Sequence, residues 1–281
     1  MKMNSREFRA WDRKAITLLG MSGVGKTTLA RLIRKENWFH YSGDYRIGTR
    51  YLDEPILDNI KQQAMRVPVL QELLRSDSVH IANNLDIDNL TLLSIFLGKL
   101  GDPEAGGLDL GEFQRRQELH RKAEAATMLD VPEFIDKVHT VYGYEHFVND
   151  AGGSLCEMDA EVIKVLAEHT LILYIQATEK DQRELLERAQ QAPKPLYYRE
   201  SFLHQELQVY MQENGLEYIA QINPDDFVRW VFPRLFRARL PRYEDIARDF
   251  GYTVTTKEIA AINNEPGFID LVCRAIDRSS G

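Results

Sequence analysis

Apolar residues recur along this chain in two rhythms. Short unbroken runs at residues 15–19, 38–42, 146–149 and 171–177, with a β-rich fifth at 252–256, read as buried parallel strands. Between most of them the apolar positions return at helical spacing. Strand alternating with helix predicts a doubly wound α/β sheet of about five strands, whose ligands bind beyond the carboxyl ends of the strands. From residue 55 to 142 the rhythm is helical, with amphipathic stretches at 110–129 and 131–141 and no convincing strand. The expected organisation is therefore a core of residues 1–54 and 143–281 carrying a helical insertion, 55–142, as an acceptor-binding or docking subdomain. Within it, Pro68 is expected to break or kink the helix that begins near Ile56, and the stretch from Asp102 to Gly107 to form a loop.

Directly behind the first run stands Gly-x-x-x-x-Gly-Lys-Thr, from Gly20 to Thr27. This spacing makes the fold a P-loop NTPase type. Gly20, Gly23 and Gly25 let the backbone turn its N–H groups toward phosphate oxygens, together with Ser22, Val24 and Thr28 in the same stretch. Lys26 adds a cation at the β/γ position, and the Thr27 hydroxyl is placed for Mg²⁺. A helix opening at Thr27 aims its positive end at the same phosphates. A nucleoside triphosphate is the expected ligand.

Other candidates fall at the predicted strand ends. Asp44, Arg46 and Arg50 follow the second strand on an expected loop, where a carboxylate can take a hydroxyl proton and guanidinium groups can fork onto an anion. Asp150 ends the third strand in the place of a Walker-B acid that holds Mg²⁺ or its water shell, and Gly152 and Gly153 then admit a ligand close to the backbone. Glu157 and Asp159 read as an acid pair at a helix N-terminus. After the fourth strand come Arg183, Arg188, Lys194 and Arg199, with Pro193 and Pro195 bracketing the lysine. That segment, near 186–200, is either a lid that excludes water from phosphoryl transfer or a surface helix with ordinary salt bridges. Residues 229–242 concentrate Arg229, Arg234, Arg237, Arg239 and Arg242, and the interleaved Trp230, Phe232 and Phe236 read as core anchors rather than base-stacking platforms.

Composition narrows the partners. A formal charge of −8 over 281 residues counts against a general nucleic-acid or anionic-membrane binder, leaving only a local basic groove open. Two cysteines, Cys156 and Cys273, are too few for a disulfide framework, which with a charged, signal-free N-terminus suggests a cytoplasmic protein. No run is long enough to span a bilayer.

Taken together, the motifs resemble the shikimate kinase group of the nucleoside-monophosphate-kinase-like P-loop kinases. The phosphate loop, the Gly152-Gly153 pair and the fourth strand carry the likeness. So does the stretch from Arg239 to Ala247, similar to that group's Arg-x-Pro-x-Tyr-Glu-x-x-Ala. The resemblance covers roughly the first 50 and last 140 residues. It implies ATP and Mg²⁺, Arg239 on the acceptor, Asp44 near its hydroxyl, and Lys194 where the group has a catalytic lid arginine. Departures are specific: Ser42 replaces the first acid of an Asp-x-Asp pair, Ser154 a third glycine, and no Phe-Arg substrate motif is present. An acceptor other than shikimate, read by the helical insertion, is the expectation.

The sequence thus points to a kinase moving the γ-phosphoryl group of ATP to a small-molecule hydroxyl or phosphate, with Lys26, Asp44 and Lys194 catalytic. Gly20, Ser22, Gly23, Val24, Gly25, Lys26, Thr27, Thr28 and Arg188 are expected on the nucleotide, and Arg46, Arg50, Gly152, Gly153 and Arg239 on the acceptor. Thr27 and Asp150 are expected on the metal. ATP is favoured over GTP only by the resemblance. Two alternatives stay open: a kinase of RNA or polynucleotide ends, and a nucleotide-dependent ATPase or switch whose insertion docks a protein.

Overall fold

The computed structural model describes residues 1–279. In chain order, α1 (Ser5–Ala10) leads into β1 (Ala15–Leu19), α2 (Lys26–Arg34) and β2 (Trp38–Ser42). A helical stretch follows: α3 (Gly43–Arg46), a π-helical turn at Ile47–Tyr51, α4 (Asp53–Ala64), α5 (Pro68–Arg75), α6 (Thr91–Leu97), α7 (Leu110–Leu129) and α8 (Val131–Lys137). The chain then returns through β3 (His146–Asp150), α9 (Ala160–His169), β4 (Leu171–Gln176), α10 (Glu179–Gln191) and α11 (Glu200–Glu213). It closes with α12 (Pro224–Phe250), β5 (Gly251–Thr255), α13 (Thr256–Ala260) and α14 (Glu265–Ser279).

All five strands form one parallel sheet in the order β2-β3-β1-β4-β5. β1 is central, and every one of its residues is buried because neighbouring strands and covering helices enclose both faces. Its one polar residue, Thr17, is satisfied inside: its hydroxyl bonds that of Thr170 at 2.8 Å, and Asn149 Nδ2 donates to it at 3.2 Å. The fold is a doubly wound α/β sheet, with the glycine loop leaving its central strand.

The chain divides into two compact units. One comprises Met1–Gly43, Glu124–Pro193 and Val228–Gly281, and the other Asp44–Ala123 and Lys194–Phe227. The divisions at 43/44 and 123/124 both fall earlier in the chain than the 54/55 and 142/143 expected from pattern, and α7 and α12 each run through a division point. The second unit is helical. Its core gathers Ile47, Leu52, Ile56, Leu85, Leu93, Phe96 and Ala123, and Pro68 starts α5 at its first turn, where the missing N–H is harmless. Helix 131–141 is shorter in α form than expected, since residues from Val138 to Tyr142 wind as a π-helix.

α12 is the largest departure from the local rules. Its 27 residues contain Pro233 and Pro241, either of which deprives the carbonyl four residues earlier of its helical donor. For Pro233 that carbonyl is Arg229 O. It accepts instead from Gln190 Nε2 of α10 at 2.8 Å, while Arg229 Nε donates to Gln190 O at 3.0 Å. Arg229 is thus spent on a helix-to-helix bracket.

At the amino end of β3, His146 packs against Trp38 with centroids 4.8 Å apart, 3.7 Å from Glu265. Burial, and then the Lys14 charge, push its imidazole below the ordinary value of about 6.5. The unfolded chain therefore takes up this proton first as pH falls. Stability from this group is complete above about pH 6.5 and declines below it. His146→Phe, which keeps a ring beside Trp38, is expected to flatten the decline of melting temperature between about pH 7 and 5. Identical acid-side slopes for the two proteins would show that His146 does not set it.

Candidate functional site

Gly20, Gly23 and Gly25 adopt φ of 148°, 89° and 95°, backbone that a side chain at these places would strain. Gly25 is the N-cap of α2, and its carbonyl accepts from Leu29 N at 2.9 Å, so the loop passes straight into the helix. Lys26 is 6% exposed, and its Nζ donates to Gly20 O at 2.7 Å and to Met21 O at 3.0 Å. The ammonium thus closes a ring over the loop. Val24 is buried, Ser22, Gly23 and Thr28 are exposed, and Thr27 is half-buried on the first turn of α2.

A cavity of about 590 Å³ opens beside this loop. Gly23, Gly25 and Thr28 line it together with Leu29 and Leu32 of α2, Asp181 and Arg188 of α10, and Thr256, Ile259 and Ile262 beyond β5. Arg188 belongs to the last turn of α10, and its Nη1 lies 3.9 Å from where a Cβ on Gly23 would stand. Loop glycines, α2, Arg188 and an apolar wall therefore share one cavity. That arrangement can hold a polyphosphate at one end and a flat ring at the other.

Asp150 ends β3 directly beside Ser42 of β2 in register and is 7% exposed. Its Oδ2 lies 3.3 Å from His40 Nε2, while its Oδ1 makes no hydrogen bond among the described residues. His40 carries no local signal of function; it shares the Trp38 and Ser42 face only through the two-residue period of a strand. Among the described residues no three His, Cys, Asp or Glu cluster as a metal cage. A carboxylate with an unused oxygen at the end of β3 and a threonine hydroxyl at the head of the loop helix are oxygen donors of the kind Mg²⁺ takes, which keeps waters and substrate oxygens as its other ligands.

The glycine turn after β3 is held from α12. The Gly153 carbonyl accepts from Arg239 Nη1 at 3.3 Å and from the buried Tyr243 hydroxyl. On its other side, a Cβ at Gly153 would come within 2.8 Å of Ser22 N, so only glycine lets the turn lie flat on the phosphate loop. Burial raises the Tyr243 phenol well above its ordinary range and pushes the Cys156 thiol up to about 11, leaving both neutral.

One expectation is corrected here. Glu157 is not a surface acid at a helix start: it lies in a 3₁₀ turn, 7% exposed, with Oε1 3.1 Å from Arg239 Nε and Oε2 3.9 Å from Arg242 Nε. Only Asp159 sits at the N-cap of α9. Arg239 in turn is 5% exposed, with its guanidinium held by Glu157 and Gly153. With Arg229 bonded to Gln190 and Arg234 stacked 3.7 Å over the Trp230 ring, much of the basic run at 229–242 is engaged within the protein. Phe236 is buried, whereas Trp230 and Phe232 are half-buried.

In the second unit, Asp44, Arg46 and Arg50 are helical rather than in a loop. Asp44 opens α3 half-buried, Arg46 lies 5.9 Å over the Tyr51 ring, and Arg50 is exposed in the π-helical turn. The reason is packing. Ile47 is buried, and Gly48 is so close to Leu85 that a Cβ there would meet its Cδ1 at 2.8 Å. The expected lid also resolves into parts: residues up to Gln191 continue α10, residues 192–199 are irregular, and Lys194 is exposed among them. Downstream, Gln117 Nε2 donates to Leu196 O at 3.1 Å and its Oε1 accepts from Tyr198 N at 2.8 Å, tying that end to α7.

No protein-family model matches the chain, and no curated protein matches it. Among solved structures it is similar to a shikimate kinase from Bacteroides thetaiotaomicron, at 16% identity and a TM-score of 0.40 over 94% of this chain and 95% of that one. It is also similar to a shikimate kinase from Acinetobacter baumannii in complex with shikimate, at 14% identity and a TM-score of 0.34 over 84% and 99%. Likeness at this level says nothing of what this chain binds. Among the described residues no helix is long and apolar enough to cross a membrane.

Proposed function

We propose that the chain is an ATP-binding P-loop kinase that transfers the γ-phosphoryl group to a hydroxyl or phosphate of a small-molecule acceptor. The observation that carries this reading is the glycine loop at the head of α2, opening on a cavity of about 590 Å³. Loop N–H groups and the α2 N-terminus bind phosphate oxygens, and Lys26 exchanges its two carbonyl partners for the β and γ oxygens. Arg188 adds charge at the same end of the cavity, and Lys194 is proposed to do so from the 192–199 segment. Thr27 and Asp150 would hold Mg²⁺, which supplies neutralisation of the phosphate charge.

Asp44 is proposed to orient or deprotonate the acceptor, and Arg46, Arg50 and Gly152 to bind it. Gly153 and Arg239 belong to that side through shape: the arginine holds the glycine carbonyl and so the turn. The unusual helical unit is proposed to read an acceptor unlike shikimate. Asp44→Asn is expected to leave ATP affinity within about twofold and to lower acceptor-stimulated ADP release at least about tenfold, measured with fractionated metabolite pools. Normal stimulated turnover in the variant would remove Asp44 from the chemistry.

One observation favours a second reading, a nucleotide-dependent switch that docks a protein. α5 buries none of its residues, and Val67, Val69 and Leu70 are 43%, 61% and 38% exposed. ATP turnover that needs no metabolite and responds to a protein fraction would favour this reading over the kinase.

A further inference from the structure

The cavity beside the phosphate loop has one acid in its lining, Asp181, among the cations Arg31, Lys35 and Arg188 and the apolar Leu29, Leu32 and Ile259. Its carboxylate is used unevenly. Oδ2 accepts from Thr178 N at 3.0 Å and from the hydroxyls of both Thr178 and Thr256, while Oδ1 makes no hydrogen bond among the described residues. The Thr256 hydroxyl is committed as a donor to Asp181, and its remaining lone pair lies 3.3 Å from Thr178 N. Beside Asp181 the Thr178 and Thr256 hydroxyls are thus both spent as donors on its Oδ2. Thr178 and Asp181 form the capping box that starts α10 after β4, and Thr255 and Glu258 form another at the start of α13 after β5. The group is thus fixed to the ends of two strands rather than to a loop.

We propose that Asp181 selects the base of the bound nucleotide, its Oδ1 accepting from an exocyclic amino group and rejecting a base that presents a carbonyl there. This rests on the nucleotide-binding reading above and deepens it, naming a 6-amino purine as the base. The apolar residues give the flat ring its wall, and Asp181 reads its edge. The Thr178 hydroxyl, and then that of Thr256, hold the carboxyl below the usual carboxylate range, so at neutral pH it is ionised and can only accept. A 6-oxo purine would turn lone pairs toward this charge and leave both groups unpaired.

ATP and ITP differ at this position, amino against carbonyl, and are the probes. Calorimetric titration of the full chain is expected to show ATP bound at least about tenfold more tightly than ITP. Asp181→Gln, whose amide a capping box accepts at this place and which can donate, is expected to compress that ratio below about threefold, with thermal unfolding checking that the variant folds. Asp181→Asn gives the same readout should the longer side chain not fit. Equal affinities in the unaltered protein, or an unchanged ratio in a folded variant, would overturn the role of Asp181 and leave the phosphate loop untouched. Failure of the folded, unaltered protein to bind either nucleotide would instead overturn the nucleotide reading itself.

Discussion

Lys26→Ala is expected to reduce ATP affinity by at least about a hundredfold, because charge-assisted hydrogen bonds contribute about 1.5–3 kcal/mol each and this ammonium can make more than one. In the structure its Nζ bridges the carbonyls of Gly20 and Met21, and only 6% of the residue is exposed. Removing it therefore takes away both a cation aimed at phosphate and the clasp that closes the loop. The three positive-φ glycines remain, so the backbone can still turn, and the variant should unfold cooperatively near the original temperature. Calorimetric titration beside a melting curve separates the two effects. A folded variant that binds ATP as before would place the nucleotide elsewhere.

Glu157→Ala is the second large effect, and it bears on stability. The change leaves the Arg239 guanidinium charged in a site where its side chain is 6% exposed, with Arg242 able to add only repulsion. Removing one partner of a buried pair typically costs about 3–5 kcal/mol, against about 0.5 kcal/mol or less for a surface acid. The hydrogen bond from Arg239 to Gly153 is not sufficient compensation for the lost counter-charge. The pair need not be net stabilising: Glu157→Leu combined with Arg239→Met should recover much of the loss, since neither charge then has to be desolvated. Urea midpoints at unchanged m-value measure both. A single-variant loss below about 1 kcal/mol would return Glu157 to the surface role its sequence context suggests.

That reversal illustrates what local sequence carries. β1 and β2 fall at the bounds the apolar runs suggest, because each is a continuous hydrophobic segment with polar or glycine punctuation at its ends, and α7 keeps its expected bounds although its buried face carries Arg116, Gln117, His120, Glu124 and Thr127. The glycine turn from Gly20 to Gly25 is equally legible, since consecutive residues set its backbone. Glu157 and Arg239 stand 82 residues apart, and His40 and Asp150 stand 110 apart, so neither pairing has any local trace. Residues from Gly43 to Tyr51 looked like a loop because glycine and charge dominate them, but burial of Ile47 and the contact of Gly48 with Leu85 keep the segment helical. Pro233 sits inside α12, with Gln190 of the distant α10 taking the carbonyl it strands. Thr178 and Asp181 have the spacing of a capping box, a local signal for the start of α10.

The central claim is that the loop from Gly20 to Thr27 grips the phosphates of a nucleotide in the cavity beside it. Calorimetric titration of the full chain with a non-hydrolysable ATP analogue and Mg²⁺ tests it most directly. One saturable site, lost in the folded Lys26→Ala protein, is the predicted result; no heat and no rise in melting temperature at millimolar analogue, in a protein that unfolds cooperatively, would contradict it.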